Sequence, residues 1–209
     1  MNQQLQNEDT NRITEHFSSL LACHGMSPQS LDWSSCQSQK ARFEALVGIG
    51  NLANTTILDV GCGLADLHAW LLARGVSHNY TGLDVTQAMA TQAAARFSDA
   101  EIFHAEVLTA AELEKRKFDY VFASGIFYLR QSNPMNYLQA AVSKMFALCR
   151  RGVAFNSLST WSSRQDPQEF YADPLLTAAL CRTLSPHLVL RHDYHPGDFT
   201  MYLYRERQA

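Results

Sequence analysis

The chain has 209 residues, 46% hydrophobic and 18% charged, an ordinary globular composition with enough apolar content for a core without metals or disulfides. A net charge of -3 and the absence of a basic stripe argue against nucleic acid as an obligate partner. The opening MNQQLQNEDTNR lacks the apolar run of a signal peptide, and no segment approaches membrane-spanning length. The five cysteines lack metal-ligand spacing, so reduced thiols, no metal site and a cytoplasmic location are expected.

Residues 1–12 read as frayed, and Ile13, Phe17, Leu20 and Leu21 then recur at helical spacing, predicting a helix over 13–23. Ser27-Pro28 offers an N-cap followed by proline at the first helical position. Ala41 to Leu52, carrying Phe43, Leu46 and Val47, reads as another helix. Residues 1–54 are expected to form a small helical cap on a core of 55–209, the whole being a single domain. From residue 55 strands are predicted at 56–60, 79–84, 100–104, 118–123 and 152–158, and helices at 65–74, 87–97, 110–116 and 134–149. Thr109-Ala110-Ala111-Glu112 supplies a capping box for the third of these helices. The short basic runs Lys115-Arg116-Lys117 and Arg150-Arg151 read as solvated strand starts. Alternating strands and helices imply an α/β fold with a Rossmann-like, doubly wound parallel sheet. Asp173-Pro174 then starts a helix, and 187–194 and 199–205 read as an antiparallel hairpin turning at His195-Pro196-Gly197-Asp198.

Between Ile57 and Leu67 the chain reads ILDVGCGLADL, a strand, a glycine turn and a helix start. A dinucleotide fingerprint ends in a small residue so that a pyrophosphate can sit on the helix N-terminus, but here that position is Asp66. Asp59 lies two residues ahead of the first glycine. Both carboxylates are poor company for phosphate and suit a ligand with positive charge. Cys62, inside the turn, reads as a position that wants a small side chain rather than as a nucleophile.

The stretch ILDVGCGLAD closely resembles the acidic-x-Gly-x-Gly motif of class I S-adenosylmethionine-dependent methyltransferases, and YTGLDV, ending near Asp84, resembles their second motif. The resemblance covers 55–158 by motif and implies a seven-stranded sheet whose last strand is antiparallel, with S-adenosylmethionine as cofactor. Ala65 stands where many members carry a third glycine. Carried over by position, Gly61 and Gly63 would let backbone approach the amino-acid and ribose part of the cofactor, and Asp59 would hold the turn or, through water, the ammonium. Asp84 would accept from both ribose hydroxyls, against a plain reading as a cap before Thr86. Glu106, in HAEVL, would face the adenine amino group beside the Val107 amide, against a reading as a surface carboxylate. FDYVFASGIFYL (118–129) resembles the fourth-strand motif, with Asp119 structural and Ser124 and Gly125 at the ligand-binding strand end. Phe127 and Tyr128 would lie near the sulfonium, where an aromatic face stabilises a cation by roughly 0.5–2 kcal/mol. Phe127 reads equally well as a core aromatic.

In the cap, Trp33, Gln39 and Arg42 form a group, with Arg42 a candidate partner for the cofactor's carboxylate. Candidate catalytic residues are Tyr128, Asn156, Tyr171 and His192, the last as a general base or a satisfied edge histidine. No Asn-Pro-Pro-Tyr or Asp-Pro-Pro-Tyr element follows the fourth strand, which counts against amino-group methylation of nucleic-acid bases. The function expected is methylation of a small molecule in bacterial secondary metabolism. One alternative is an azetidine-2-carboxylate synthase-type cyclisation of S-adenosylmethionine itself, releasing methylthioadenosine, since the short cap leaves little sequence for an acceptor site and Tyr128, Asn156 and Tyr171 are available around the sulfonium. A non-catalytic S-adenosylmethionine-binding regulator is the other. The sequence names neither the acceptor nor an oligomeric state.

Overall fold

A computed structural model describes residues 3–207. Its strands are Thr55–Val60 (β1), His78–Asp84 (β2), Glu101–His104 (β3), Phe118–Ala123 (β4), Cys149–Leu158 (β5), Leu188–Arg191 (β6) and Asp198–Tyr204 (β7). They form one seven-stranded sheet in the order β3-β2-β1-β4-β5-β7-β6. The pairs among β1 to β5 are parallel, and β7 inserts antiparallel between β5 and β6. The helices are Gln3–His24 (α1), Cys36–Val47 (α2), Asp66–Leu72 (α3), Gln87–Arg96 (α4), Pro134–Leu148 (α5) and Pro174–Arg182 (α6).

Both faces of the sheet are covered, as a parallel sheet requires. Side chains alternate along a strand, so Ile57 points to one face and Leu58 to the other. Ile57, Tyr80 and Phe122 pack with Phe43 and Leu46 of α2 and Leu67 and Leu71 of α3. Leu58, Val121 and Phe155 pack with Leu138, Val142 and Met145 of α5. The near-continuous burial of β1, β4 and β7 is why these runs read so clearly as strands.

Local chemistry sets the boundaries, and several differ from expectation. Residues 3–12 are helical rather than frayed, since α1 starts at Gln3. The second cap helix runs over Cys36–Val47, not 41–52, because the Ser35 hydroxyl accepts from the Ser38 N–H at 3.1 Å and caps it. Ile49 and Leu52 stay buried beyond its end, so the apolar spacing there marked core contact and not helix. The helix expected at 110–116 is a single 3-10 turn, Ala111–Leu113, and Thr109 does not cap it. Leu113 plugs the core and Lys115 turns back at φ 65, which ends the run after one turn. Ser27-Pro28 likewise opens only a 3-10 turn, Pro28–Leu31, closed by Asp32 at φ 59. The Asp173-Pro174 start holds: Asp173 Oδ1 accepts from the N–H groups of Leu175 and Leu176 at 2.8 and 3.0 Å. Among the described residues no helix is long and apolar enough to cross a membrane.

Candidate active site

The strand order reverses between β1 and β4, and the crevice outside the carboxyl ends of the strands there is where open α/β sheets bind ligands. The turn after β1 is built for close backbone approach. Gly61 and Gly63 sit at φ 71 and 54, and a Cβ on them would stand 2.2 Å from Ile126 Cγ2 and 2.5 Å from Leu31 Cδ2. Only glycine avoids both the conformational cost and the collision. Ala65 takes the left-handed backbone at φ 57, which shows what the missing third glycine would have eased. Cys62 is buried against Gly82, and burial pushes its thiol well up, so it fills space and is not a reactive thiolate.

Around this turn lies a cleft of about 980 Å³, its open mouth included. Ile13 and Phe17 of α1 and Leu31 and Trp33 cover it from the cap side. The helix is fastened across the crevice: Asp9 accepts from the Ser132 N–H at 2.9 Å, and Arg12 donates to the Arg130 carbonyl.

Three carboxyl groups face this cleft without a basic partner, and its described lining includes no lysine, arginine or histidine. Asp84, at the end of β2, accepts from the N–H of Gly63 and of Thr86, both at 2.8 Å. Burial raises its pKa, and those two hydrogen bonds oppose the rise. Asp59 accepts from the Tyr80 hydroxyl at 2.6 Å, and burial pushes its pKa up to about 7. Glu106 accepts from the Leu108 N–H at 2.9 Å and also has a pKa raised by burial. Asp66 differs. Arg96 donates to it at 2.6 Å and Gln39 at 3.0 Å, so this aspartate is already neutralised by the protein and does not call for a cationic ligand.

A second cleft, of about 720 Å³ with its mouth, adjoins the first and shares Leu31, Trp33, Gly125 and Tyr128 with it. Asn156 locks the boundary: its Oδ1 accepts from the Gly125 N–H at 2.8 Å and its Nδ2 donates to Ser124 Oγ at 3.3 Å. The Tyr128 hydroxyl donates to Asp32 Oδ2 at 2.7 Å, and with burial this raises its pKa. On the floor, Arg42 forms a buried ion pair with Asp198 and donates to the Ser38 carbonyl at 3.0 Å. The guanidinium lies 5.0 Å over the Trp33 ring.

The residues expected on the cofactor side, with the exception of Arg42, line the first cleft together with Tyr128. Arg42 and Asn156 line the second cleft instead, and Arg42 is occupied by Asp198. Tyr171 and His192 line neither. The Tyr171 hydroxyl donates to Glu169, and His192 contacts Ser159 Oγ at 2.8 Å while its ring stacks on Trp161. Phe127 is a core residue, edge-on to Phe155 at 5.6 Å. Asp119 is structural, accepting from the Thr56 N–H at 2.9 Å. Sequence reasoning missed Asp32, Glu169 and Asp198. Asp198 carried a usable signal: it opens a strand whose every residue is buried, so its charge required a partner such as Arg42.

A glycine turn at the switch point of an open parallel sheet, faced by unpaired carboxyls, defines a nucleotide-binding α/β protein suited to a ligand that is not a pyrophosphate. Residues 57–152 match the family model described as a methyltransferase domain. A putative methyltransferase of Mycobacterium tuberculosis, Rv1506c, is 37% identical over 153 residues, covering 70% of this chain and 90% of that protein. The tRNA U34 carboxymethyltransferase of Pseudoalteromonas atlantica is 35% identical over 94 residues, which span 44% of this chain but 28% of that enzyme. In fold, the chain matches the structure of DhpI complexed with S-adenosylhomocysteine over the full length of both, with a TM-score of 0.69 at 16% identity. The chain belongs to the class I S-adenosylmethionine-dependent methyltransferases.

Proposed function

We propose that the first cleft holds S-adenosylmethionine and the second holds a small-molecule acceptor of its methyl group. The observation that carries this reading is the meeting of the two clefts at Trp33, Gly125 and Tyr128. The residues present fit the cofactor. Asp59, Asp84 and Glu106 face the cleft with no basic side chain among its described lining, which suits a sulfonium and an ammonium and repels phosphate.

When bound, S-adenosylmethionine supplies a methyl carbon activated by the adjacent sulfonium for in-line displacement. The protein's own residues bind, orient and exclude water. An ionised carboxylate accepts at about four lone-pair sites, and Asp84 spends two on Gly63 and Thr86. The remainder serve the ribose hydroxyls. Gly61 and Gly63 allow backbone contact, and Asp59 stabilises the ammonium side. Glu106 and Val107 edge the adenine, and Gln39 is the polar cap side chain left for the carboxylate that Arg42 was expected to meet. Ser124 and Tyr128 stand at the passage between the clefts. Asn156, by fixing Gly125 and Ser124, acts as a positioning residue, and positioning is the main catalytic term in such a displacement. Tyr171 and His192 are assigned no step, since neither borders a cleft.

The second cleft also supports transfer over self-cyclisation, since it offers an acceptor the room that the short cap was expected to lack. The acidic first cleft makes a direct test possible. Titration calorimetry with S-adenosylhomocysteine and, separately, NADH is expected to show single-site binding of the first and none of the second. The reverse would overturn the proposal.

A further inference from the structure

Three elements meet at one oxygen on the border of the second cleft. Asp32 closes the 3-10 turn of the cap, Tyr128 follows β4, and His16 lies on α1. The Tyr128 hydroxyl lies 2.7 Å from Asp32 Oδ2, and His16 Nε2 lies 3.2 Å from the same atom. An ionised carboxylate only accepts, so the hydrogen in the shorter contact is the tyrosine's and the imidazole contributes its Nε2–H. Tyr128 Oη thus spends its hydrogen on Asp32 and keeps its lone pairs for a ligand. Tyr128 lines both clefts, and Asp32 lines the second. Burial, the hydrogen bond to Asp32 and the charges of Asp32 and Glu169 raise the tyrosine's pKa, so it stays a hydroxyl and is not itself the base.

Methyl transfer leaves a proton to be placed. A neutral amine attacks with its lone pair and sheds the proton afterwards, whereas a hydroxyl is a weak nucleophile until a base draws its proton away in the transition state. Resting on the reading of the second cleft as the acceptor site, we infer that the acceptor attacks through a hydroxyl and that Tyr128 and Asp32 form the relay that takes its proton. His16 is a positioning residue that steadies Asp32. The acceptor O–H donates to Tyr128 Oη. As the oxygen–methyl bond forms, the methyl–sulfur bond breaks and its electron pair leaves on sulfur. The acceptor's hydrogen passes to Tyr128 Oη, and the tyrosine's own passes to Asp32 Oδ2. The positive charge on sulfur and the negative charge on the carboxylate disappear together. The Asp32 side chain is 42% exposed, so it returns the proton to water.

The test compares two phenols as acceptors in mildly alkaline buffer, with the protein saturated with S-adenosylmethionine. 4-Methylphenol still carries its proton there, and 4-nitrophenol is already ionised. Asp32→Asn suits the left-handed backbone at φ 59 and keeps an acceptor for Tyr128, but it cannot take a proton. It is expected to lower the ratio of kcat on 4-methylphenol to kcat on 4-nitrophenol about a hundredfold, the scale of losing a general base, while S-adenosylhomocysteine affinity holds. Should that variant fail to fold, Tyr128→Phe, which breaks the relay at its other member, is expected to lower the same ratio. His16→Ala is expected to lower kcat on 4-methylphenol several-fold with KM unchanged. An equal loss on both phenols is what a purely structural role predicts. That result, or no methylation of either phenol at millimolar concentration while S-adenosylhomocysteine still binds, overturns the inference and leaves the methyl-transfer reading intact. Failure of S-adenosylhomocysteine to bind would overturn that reading instead.

Discussion

Replacing Asp84 by asparagine conserves volume and removes one acceptor oxygen and the charge. The carboxylate is 8% exposed and receives two backbone N–H groups at 2.8 Å, from Gly63 and Thr86. However the amide turns, its NH2 faces one of those N–H groups, so one buried donor loses its acceptor at a cost of about 1–3 kcal/mol in stability. Binding suffers more. Two ribose hydroxyls donating to an ionised acceptor are together worth about 3 kcal/mol or more, which corresponds to a loss of roughly a hundredfold in affinity. Titration calorimetry with S-adenosylhomocysteine measures this, with chemical denaturation reporting the stability term separately. Binding within a few-fold of the unmodified protein would refute the ribose contact and with it the orientation of the cofactor in the first cleft.

The Asp59 carboxyl, raised from 3.8 to about 7 by burial, makes stability pH-dependent with a defined sign. Its contribution is complete below 3.8 and is lost as pH rises to about 7, because the unfolded chain releases its proton first, with a ceiling on the order of 4 kcal/mol. Asp59→Asn, which keeps an acceptor for Tyr80, is therefore expected to flatten the denaturation profile over that window. It should also remove a gain in S-adenosylmethionine affinity as pH rises through about 7, and identical profiles for the two proteins would contradict the assignment. Gly61→Ala places a Cβ 2.2 Å from Ile126 on a left-handed backbone and is expected to cost about 2–5 kcal/mol in unfolding free energy. An unchanged melting profile would show that the turn is not held as described. His192→Ala should leave kcat essentially unchanged, because His192 sits on Ser159 and Trp161 and borders neither cleft. A fall of roughly a hundredfold, the scale of losing a general base, would restore it to the mechanism.

The first cleft was legible in the sequence because its parts are local. A buried strand, a glycine turn and a carboxylate at the next strand end follow one another in the chain, and Asp59, Gly61, Gly63 and Asp84 fall where that pattern puts them. The parallel sheet followed from the same alternation, and the antiparallel ending from two apolar runs joined by a tight turn. The strand order, with β7 between β5 and β6, is set by tertiary pairing that no local pattern records. The second cleft was not legible, since its residues come together only through tertiary contact. Arg42 and Asp198 lie 156 positions apart, and a carboxylate within the protein claimed the arginine that seemed free for the cofactor. His192 and Tyr171 were chosen by residue type, but β6 ends at Arg191, before the histidine, and a short loop turns the tyrosine toward Glu169. The helix expected at 110–116 failed because Thr109 makes no cap and the left-handed Lys115 ends the run after one turn.

The most direct measurement incubates the protein with S-adenosylmethionine carrying a carbon-13-labelled methyl group, with and without a pool of small-molecule nucleophiles, and identifies both products. Methyl transfer predicts S-adenosylhomocysteine formed one for one with a labelled acceptor, and only when the pool is present. Methylthioadenosine released with no acceptor would contradict it and place the attack on another carbon beside sulfur.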